Sequence, residues 1–458
     1  MILQRFEVPG LAHYSYVVGS QGKAIVIDPK RDVDTYLEFA REKKLTITHV
    51  TETHIHADYV SGATALAEAT GAELWLSGHD EGEDFQYRFA HHELRDGDEL
   101  QVGLVRLKVM HTPGHTPEHI SFLMYEGEES PLPLGMFTGD FIMPGSLGRP
   151  DLLGEAAKKA LAARLFDSAH RKIAALPDGV EVYPAHGAGS LCGAGMSERA
   201  QSSLGYERAT NPYMKIADEA EFVEQVLATV PEFPEYYKRM KRVNSDGPRV
   251  FGAWPESVGL GVAEFRERRA AKDVVVLDLR RPEAFGGAHV PGAINIGGGS
   301  QLSAWAAWVL PYDTPILLVG EAETDLNAAV RSLLRVGLDE VAGHLDGGMP
   351  AWIDAGETMD YVAQASTKEV AAGGEVILDV RSPAEWRTGH IDGAIHIPAG
   401  ELMQRVKELP EGAITIVCGS GYRSSIAASL LRMLGRTKVR NMLGGMGAWM
   451  RQGLPVVA

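Results

Sequence analysis

The chain repeats itself in its C-terminal half. The segment DLRRPEAFGGAHVPGAINI, beginning at Asp278, returns as DVRSPAEWRTGHIDGAIHI at Asp379, an offset of 101, and DGGMPAW at Asp346 returns as LGGMGAW at Leu443, an offset of 97. A period of about a hundred residues is too long for a solenoid unit, so each copy has to close its own core as a duplicated module. Short apolar runs alternate with helical stretches in both copies. That alternation predicts α/β domains with largely parallel sheets.

The 458 residues exceed what one core organises, and typical domain size divides such a chain into about three. The expected domains are 1–254, whose last part, from Asn211, is a charged connector, then 255–359 and 360–458. The formal charge of −17 and the lack of clustered Lys and Arg exclude a nucleic-acid partner. No run is apolar enough to span a bilayer, and MILQRFEVPG does not read as a signal peptide, so a cytoplasmic protein is expected. Cys192 and Cys418, the two cysteines, lie 226 positions apart and are expected to stay free thiols. Nothing in the sequence fixes an oligomeric state, and a homo-oligomer stays open.

In the first domain, strands are expected at Lys23 to Asp28, Leu45 to Val50, Leu74 to Leu76, Val105 to Met110, Ile120 to Tyr125 and Glu181 to Tyr183. A helix capped by Asp32 or Asp34 should run to Lys43, and others should cover Gly154 to Ala175 and Glu219 to Val230. Where the strand at Leu45 ends, THIHADYVSG supplies His54, His56 and Asp58 within five residues. Alternation sends the two imidazoles the same way, and imidazoles converging with a carboxylate suit a divalent transition metal. Later strand ends add His115 in HTPGHTPEH, Asp140 in MFTGDF and His186 in VYPAHG. Asp28, in a turn, could orient such ligands.

The order HxHxD, GHT, GD, AHG over residues 1–212 resembles the metallo-β-lactamase fold, an αββα sandwich. Its hydrolases, such as glyoxalase II, place a second histidine after the Asp to hold a second metal. This chain has Tyr59 there, which leaves Asp58 and His186 a poor pair for zinc. The domain is similar instead to the persulfide dioxygenase branch. That resemblance implies one Fe(II) per chain on His54, His115 and Asp140, with His56, Asp58 and His186 around the ligands. Arg149, in GSLGRPD, is expected to grip an anionic substrate group or to pair with Asp151, and Cys192 to position sulfur or fill the core.

In the second copy of the repeat, Ile414 to Val417 reads as a buried strand leading into Cys418, Gly419, Ser420, Gly421, Tyr422, Arg423 and Ser424, followed by a helix. Backbone N–H groups of a Gly-rich turn and a helix N-terminus favour an anion at the sulfur and stabilise a persulfide. With DVRSPAEW and GGMGAW, the loop resembles rhodanese, a sulfurtransferase. The resemblance implies Cys418 as nucleophile, with Arg423 helping to hold an anionic donor or simply bracing the loop, and Gly419, Gly421 and Ser424 lining its site. Aligning Ile316 to Val319 with the later strand puts Val319 opposite Cys418, so the first copy should be inactive.

The whole order resembles persulfide dioxygenase–rhodanese fusion enzymes of sulfide detoxification. It implies oxidation of a small-molecule persulfide by dioxygen to sulfite, coupled to sulfur transfer among persulfide, sulfite, thiosulfate and thiol. The rivals are a two-metal thioester hydrolase fused to a rhodanese, and a sulfur carrier or sensor with a vestigial metal site.

Overall fold

The computed structural model describes residues 1–127, 130–321 and 324–458. They form two compact units, Met1–Trp254 with Leu334–Gly337, and Pro255–Leu333 with Leu338–Ala458.

The first unit contains two six-stranded sheets. One runs Ile2–Val8, His13–Ser20, Lys23–Ile27, Thr46–Thr51, Glu73–Ser77, His92–Leu94, antiparallel through its first three strands and parallel thereafter. The other runs Ser202–Ser203, Glu181–Pro184, Gly135–Gly139, Ile120–Glu126, Val105–His111, Glu99–Val102. Alternation gives each sheet an inner face. Tyr16, Val18 and Ile25 meet Leu107, Phe122 and Phe137 in a shared core between the sheets. Val17, Val26 and Val50 face the helices Asp34–Lys43 and Ala63–Thr70, while Met136 and Val182 pack with Leu165 and Phe222 of the helices Lys158–Asp167 and Glu219–Ala228. The result is the expected αββα sandwich, with strand ends opening onto the loops that carry the chemistry.

Two helix expectations change. Val33, not an aspartate, is the N-cap of Asp34–Lys43 and makes no side-chain cap bond. Asp34 sits in the first turn, where its charge suits the helix dipole, and Asp32 pairs with Lys30 at 3.2 Å. The helix expected from Gly154 begins only at Lys158, and after Asp167 it widens into a π turn at Ser168–Lys172.

In the second unit each repeat is a five-stranded parallel sheet: Gly259–Leu260, Val341–Leu345, Ile316–Val319, Val275–Asp278, Ile294–Asn295 in the first, and Ala363–Ala365, Val439–Met442, Ile414–Val417, Val376–Asp379, Ile395–His396 in the second. Ile316 to Val319 are wholly buried, as in a sheet covered on both faces, each contributing roughly 1.5–3 kcal/mol. Among the described residues, no helix is long and apolar enough to cross a membrane.

Strand register corrects the alignment of the two repeats. Asp278 pairs with Val319 and Asp379 with Val417, so Val319 corresponds to Val417 and Gly320 stands where Cys418 stands. Both repeats pack a left-handed glycine onto that position. A Cβ on Gly445 would lie 2.3 Å from the Cys418 carbonyl oxygen, and one on Gly348 would lie 2.5 Å from that of Gly320. The close approach accounts for the repeated GGM.

Candidate active sites

The strand Thr46–Thr51 delivers Glu52 to Ser61 into a fully buried loop. Asp28, with φ +52°, accepts from the Thr53 N–H at 2.7 Å and bonds His56 Nε2 at 3.1 Å, which fixes the loop as it turns. His54, His115 and Asp140 converge, with candidate ligand atoms within 4.8 Å of one another. His115 Nε2 lies 3.3 Å and His54 Nε2 3.7 Å from Asp140 Oδ2. Among the described residues none of these three atoms has a hydrogen-bond partner, although all are buried. Orphaned buried acceptors are costly, and a divalent metal is the group that satisfies all three.

Electrostatics agree with a ligand set. Burial, reinforced by neighbouring histidines, holds His54 well below the usual imidazole range, and burial pushes His115 down to about 4 despite Asp140. Both are therefore neutral, as ligands must be. Burial works against charge on Asp140, but His186 beside it keeps the carboxyl well below the usual range. His186 bridges Asp140 at 2.6 Å through Nδ1 and Asp58 at 2.8 Å through Nε2, and the carboxylates outweigh burial to hold it well above its ordinary value. His115 Nδ1 is oriented by the Arg149 carbonyl at 2.9 Å.

A second group also assembles: Asp58, His186 and Cys192, likewise with ligand atoms within 4.8 Å of one another. Cys192 thus faces the site, supplying a third partner to the pair Asp58 and His186. Burial pushes its thiol well up, so it stands protonated beside the Tyr237 hydroxyl at 4.0 Å. Tyr59, in place of a second-metal histidine, is buried against His13 with its hydroxyl donating to the Asp28 carbonyl.

Arg149 is 2% exposed and engages Asp151 bidentately, at 2.7 and 2.9 Å, plus the carbonyls of Leu191, Glu232 and Pro231. Its fork has no donor left for a substrate. It serves the site through its backbone oxygen.

Several site residues were not singled out by sequence, His119 among them although it closes HTPGHTPEH. His119 accepts from the Asp140 N–H at 3.2 Å. His13 is buried against Tyr59, with neither ring nitrogen partnered among the described residues. Burial raises Glu52, between His54 and the strand, to about 7. The helix Tyr236–Asp246, expected only as part of a connector, sends Lys241 to the Ile55 carbonyl and Asn244 to those of His56 and Tyr59. An amphipathic pattern was visible there; the target of its polar buried residues was not.

In the second unit Cys418 is 1% exposed at the end of Ile414–Val417. The Gly421 N–H donates to its sulfur at 3.1 Å and Ser424 Oγ lies 3.3 Å away. Gly421, with φ +111°, caps the helix Tyr422–Met433. The loop is clamped from behind, as Cys418 and Gly419 carbonyls accept from Met446 and Gly447 N–H. Arg423 pairs with Glu385 through both nitrogens, at 2.6 and 2.7 Å, and burial is outweighed by that guanidinium in taking Glu385 down to about 2. The repeated DxR forms the same buried pair in both copies, Asp278 with Arg280 and Asp379 with Arg381. The frame is kept in the first copy while the sulfur is absent.

Residues 8–186 match the metallo-beta-lactamase superfamily, and residues 261–355 and 361–452 each match the rhodanese-like domain. A crystal structure of a metallo-beta-lactamase from Staphylococcus aureus subsp. aureus COL is 35% identical, with TM-score 0.68, covering 75% of this chain and 98% of that one. Hydroxyacylglutathione hydrolase of Francisella philomiragia is 32% identical over 38% of this chain and 63% of its own length, so the chain spans less than two thirds of that relative. Mitochondrial persulfide dioxygenase ETHE1 of Bos taurus is 28% identical over 49% of this chain and 79% of its own length.

Proposed function

The chain belongs to the metallo-β-lactamase superfamily, with two rhodanese-like domains after that fold, and from this premise we propose an iron-dependent persulfide dioxygenase joined to a sulfurtransferase. The observation that carries the reading is the trio His54 Nε2, His115 Nε2 and Asp140 Oδ2, buried and without partners, beside a Tyr59 that cannot act as the hydrolases' extra histidine. Two imidazoles and one carboxylate are the facial set of non-haem Fe(II) oxygenases.

Fe(II), when bound there, supplies open positions for dioxygen and a substrate sulfur. The overall reaction is RSSH + O₂ + H₂O → RSH + SO₃²⁻ + 2H⁺. His186 holds Asp140 from its other oxygen, and Arg149 holds His115 through its carbonyl, so the ligand face is fixed before substrate enters. Cys192, 4.0 Å from the Tyr237 hydroxyl, stands with Asp58 and His186 beside that face. The Cys418 thiolate attacks the sulfane sulfur of a second RSSH, breaking its S–S bond and releasing the thiol RSH. The resulting Cys418 persulfide, its anion received by the Gly421 N–H and Ser424, gives that sulfur to sulfite as thiosulfate and returns the thiolate. Gly419 belongs to the same cradle, and Arg423 braces the loop against Glu385.

A thioester hydrolase is the second reading, favoured by the hydrolase relatives and by Asp58, His186 and Cys192 as a second ligand group. Metal analysis of the purified protein separates the two. The proposal expects one iron per chain; two tightly held zinc ions with thioesterase activity would replace it by the hydrolase.

A further inference from the structure

The first repeat has no nucleophile, yet it touches the helix that carries the second repeat's cradle. Ser425 and Ser429 are one turn apart on Tyr422–Met433, and both are buried against the strand Ile294–Asn295 of the first repeat. Ser425 Oγ donates to Asn295 Oδ1 at 2.6 Å, and the Asn295 N–H donates to Ser429 Oγ at 3.1 Å. Two residues on, the Gly297 carbonyl accepts from the Tyr422 hydroxyl at 3.0 Å.

The sequence is specialised at both positions. At the repeat offset, Asn295 corresponds to His396 and Gly297 to Pro398. His396 Nε2 bonds the Arg381 carbonyl, and Asn295 Nδ2 donates to the equivalent Arg280 carbonyl at 2.9 Å. Asparagine keeps that internal bond through its amide nitrogen and turns its amide oxygen to Ser425. A Cβ at Gly297 would lie 3.1 Å from Tyr422 Cε2, so a larger residue there would push the ring back by a few tenths of an ångström. Tyr422 directly follows Gly421, whose N–H reaches the Cys418 sulfur.

We propose that Asn295 and Gly297 of the nucleophile-free repeat are positioning residues for sulfur transfer, holding the helix start that presents Gly421 and Ser424 to Cys418. This rests on the sulfurtransferase reading of Cys418. The first repeat is then retained because it supplies the wall against which the cradle is aligned.

The test uses the full chain with Gly297→Ala, Ser425→Ala and Asn295→Ala. Gly297 has no left-handed backbone to strain, so its methyl acts on Tyr422 alone. Gly297→Ala is expected to slow iodoacetamide alkylation of Cys418, read by peptide mass spectrometry, about tenfold, as expected for displaced reacting groups. The turnover number for thiosulfate-to-thiol transfer should fall by a similar factor, about tenfold, with KM for thiosulfate within about twofold. Ser425→Ala should move the same way by a smaller factor, and Asn295→Ala by a larger one if it folds. Wild-type alkylation and turnover in folded Gly297→Ala and Ser425→Ala would overturn the proposal. Failure of the sulfurtransferase reading looks different: Cys418→Ser would itself retain transfer.

Discussion

The Asn244 side-chain amide donates to the Tyr59 carbonyl at 2.8 Å, reaching across 185 residues of sequence into the loop that carries His54. The same side chain donates to the His56 carbonyl at 2.9 Å and accepts from the Ser61 N–H at 2.9 Å. One residue thus satisfies three buried backbone groups that follow His54. Lys241, one turn earlier, adds a bond to Ile55 at 3.1 Å.

Asn244→Ala should therefore cost about 3 kcal/mol, because it leaves those groups buried and unpaired. The melting transition of the first unit should drop by roughly 5–10 °C. Iron affinity should fall with it. Calorimetry of metal-loaded protein checks this, and an unchanged transition would mean that water replaces the amide.

His54→Ala, His115→Ala and Asp140→Ala should each lose metal and dioxygen uptake. His186→Ala should still load iron, since His186 grips Asp140 rather than completing the trio, but with affinity weakened by about 10–100-fold. Metal titration distinguishes these outcomes. A His186→Ala protein that takes no iron at any concentration would move His186 into the ligand set.

Cys418→Ser should abolish thiosulfate–thiol transfer and leave persulfide-dependent dioxygen uptake intact. A serine hydroxyl cannot form a persulfide, and Gly320 offers no replacement. Cys192 is held protonated by burial. Transfer lost in Cys192→Ser but kept in Cys418→Ser would reverse the assignment.

Glu385 sits at about 2 in the folded chain against an ordinary 4.5, so its pairing with Arg423 is fully present above pH 4.5 and fades as pH falls towards 2. Stability of the second unit should decline across that window. Glu385→Gln keeps the cap on Ser382 but should flatten the decline and lower stability at neutral pH. Melting temperature against pH reads both, and parallel profiles for the two proteins would contradict it.

Much of this was legible because each candidate-ligand motif sits at the end of a strand, where pattern and chemistry coincide. Cys418 announced itself in the same way. The braces were not legible: Lys241 and Asn244 lie on a helix whose polar residues look solvent-facing, and only tertiary packing turns them inward. Which way Arg149 points depends on loops at Leu191 and Pro231 that no spacing predicts. The place of Gly320 was legible too: Ile316 to Val319 laid residue for residue on Ile414 to Val417 sets it opposite Cys418, and the pairing of Val319 with Asp278 and of Val417 with Asp379 agrees.

The most direct test follows dioxygen consumption by iron-loaded protein supplied with a low-molecular-weight persulfide, with sulfite and thiol measured together. The account predicts one dioxygen consumed and one sulfite and one thiol formed for each persulfide lost in the Cys418→Ser protein, where no sulfur transfer can drain the sulfite. No dioxygen uptake in protein with a full complement of iron would contradict it.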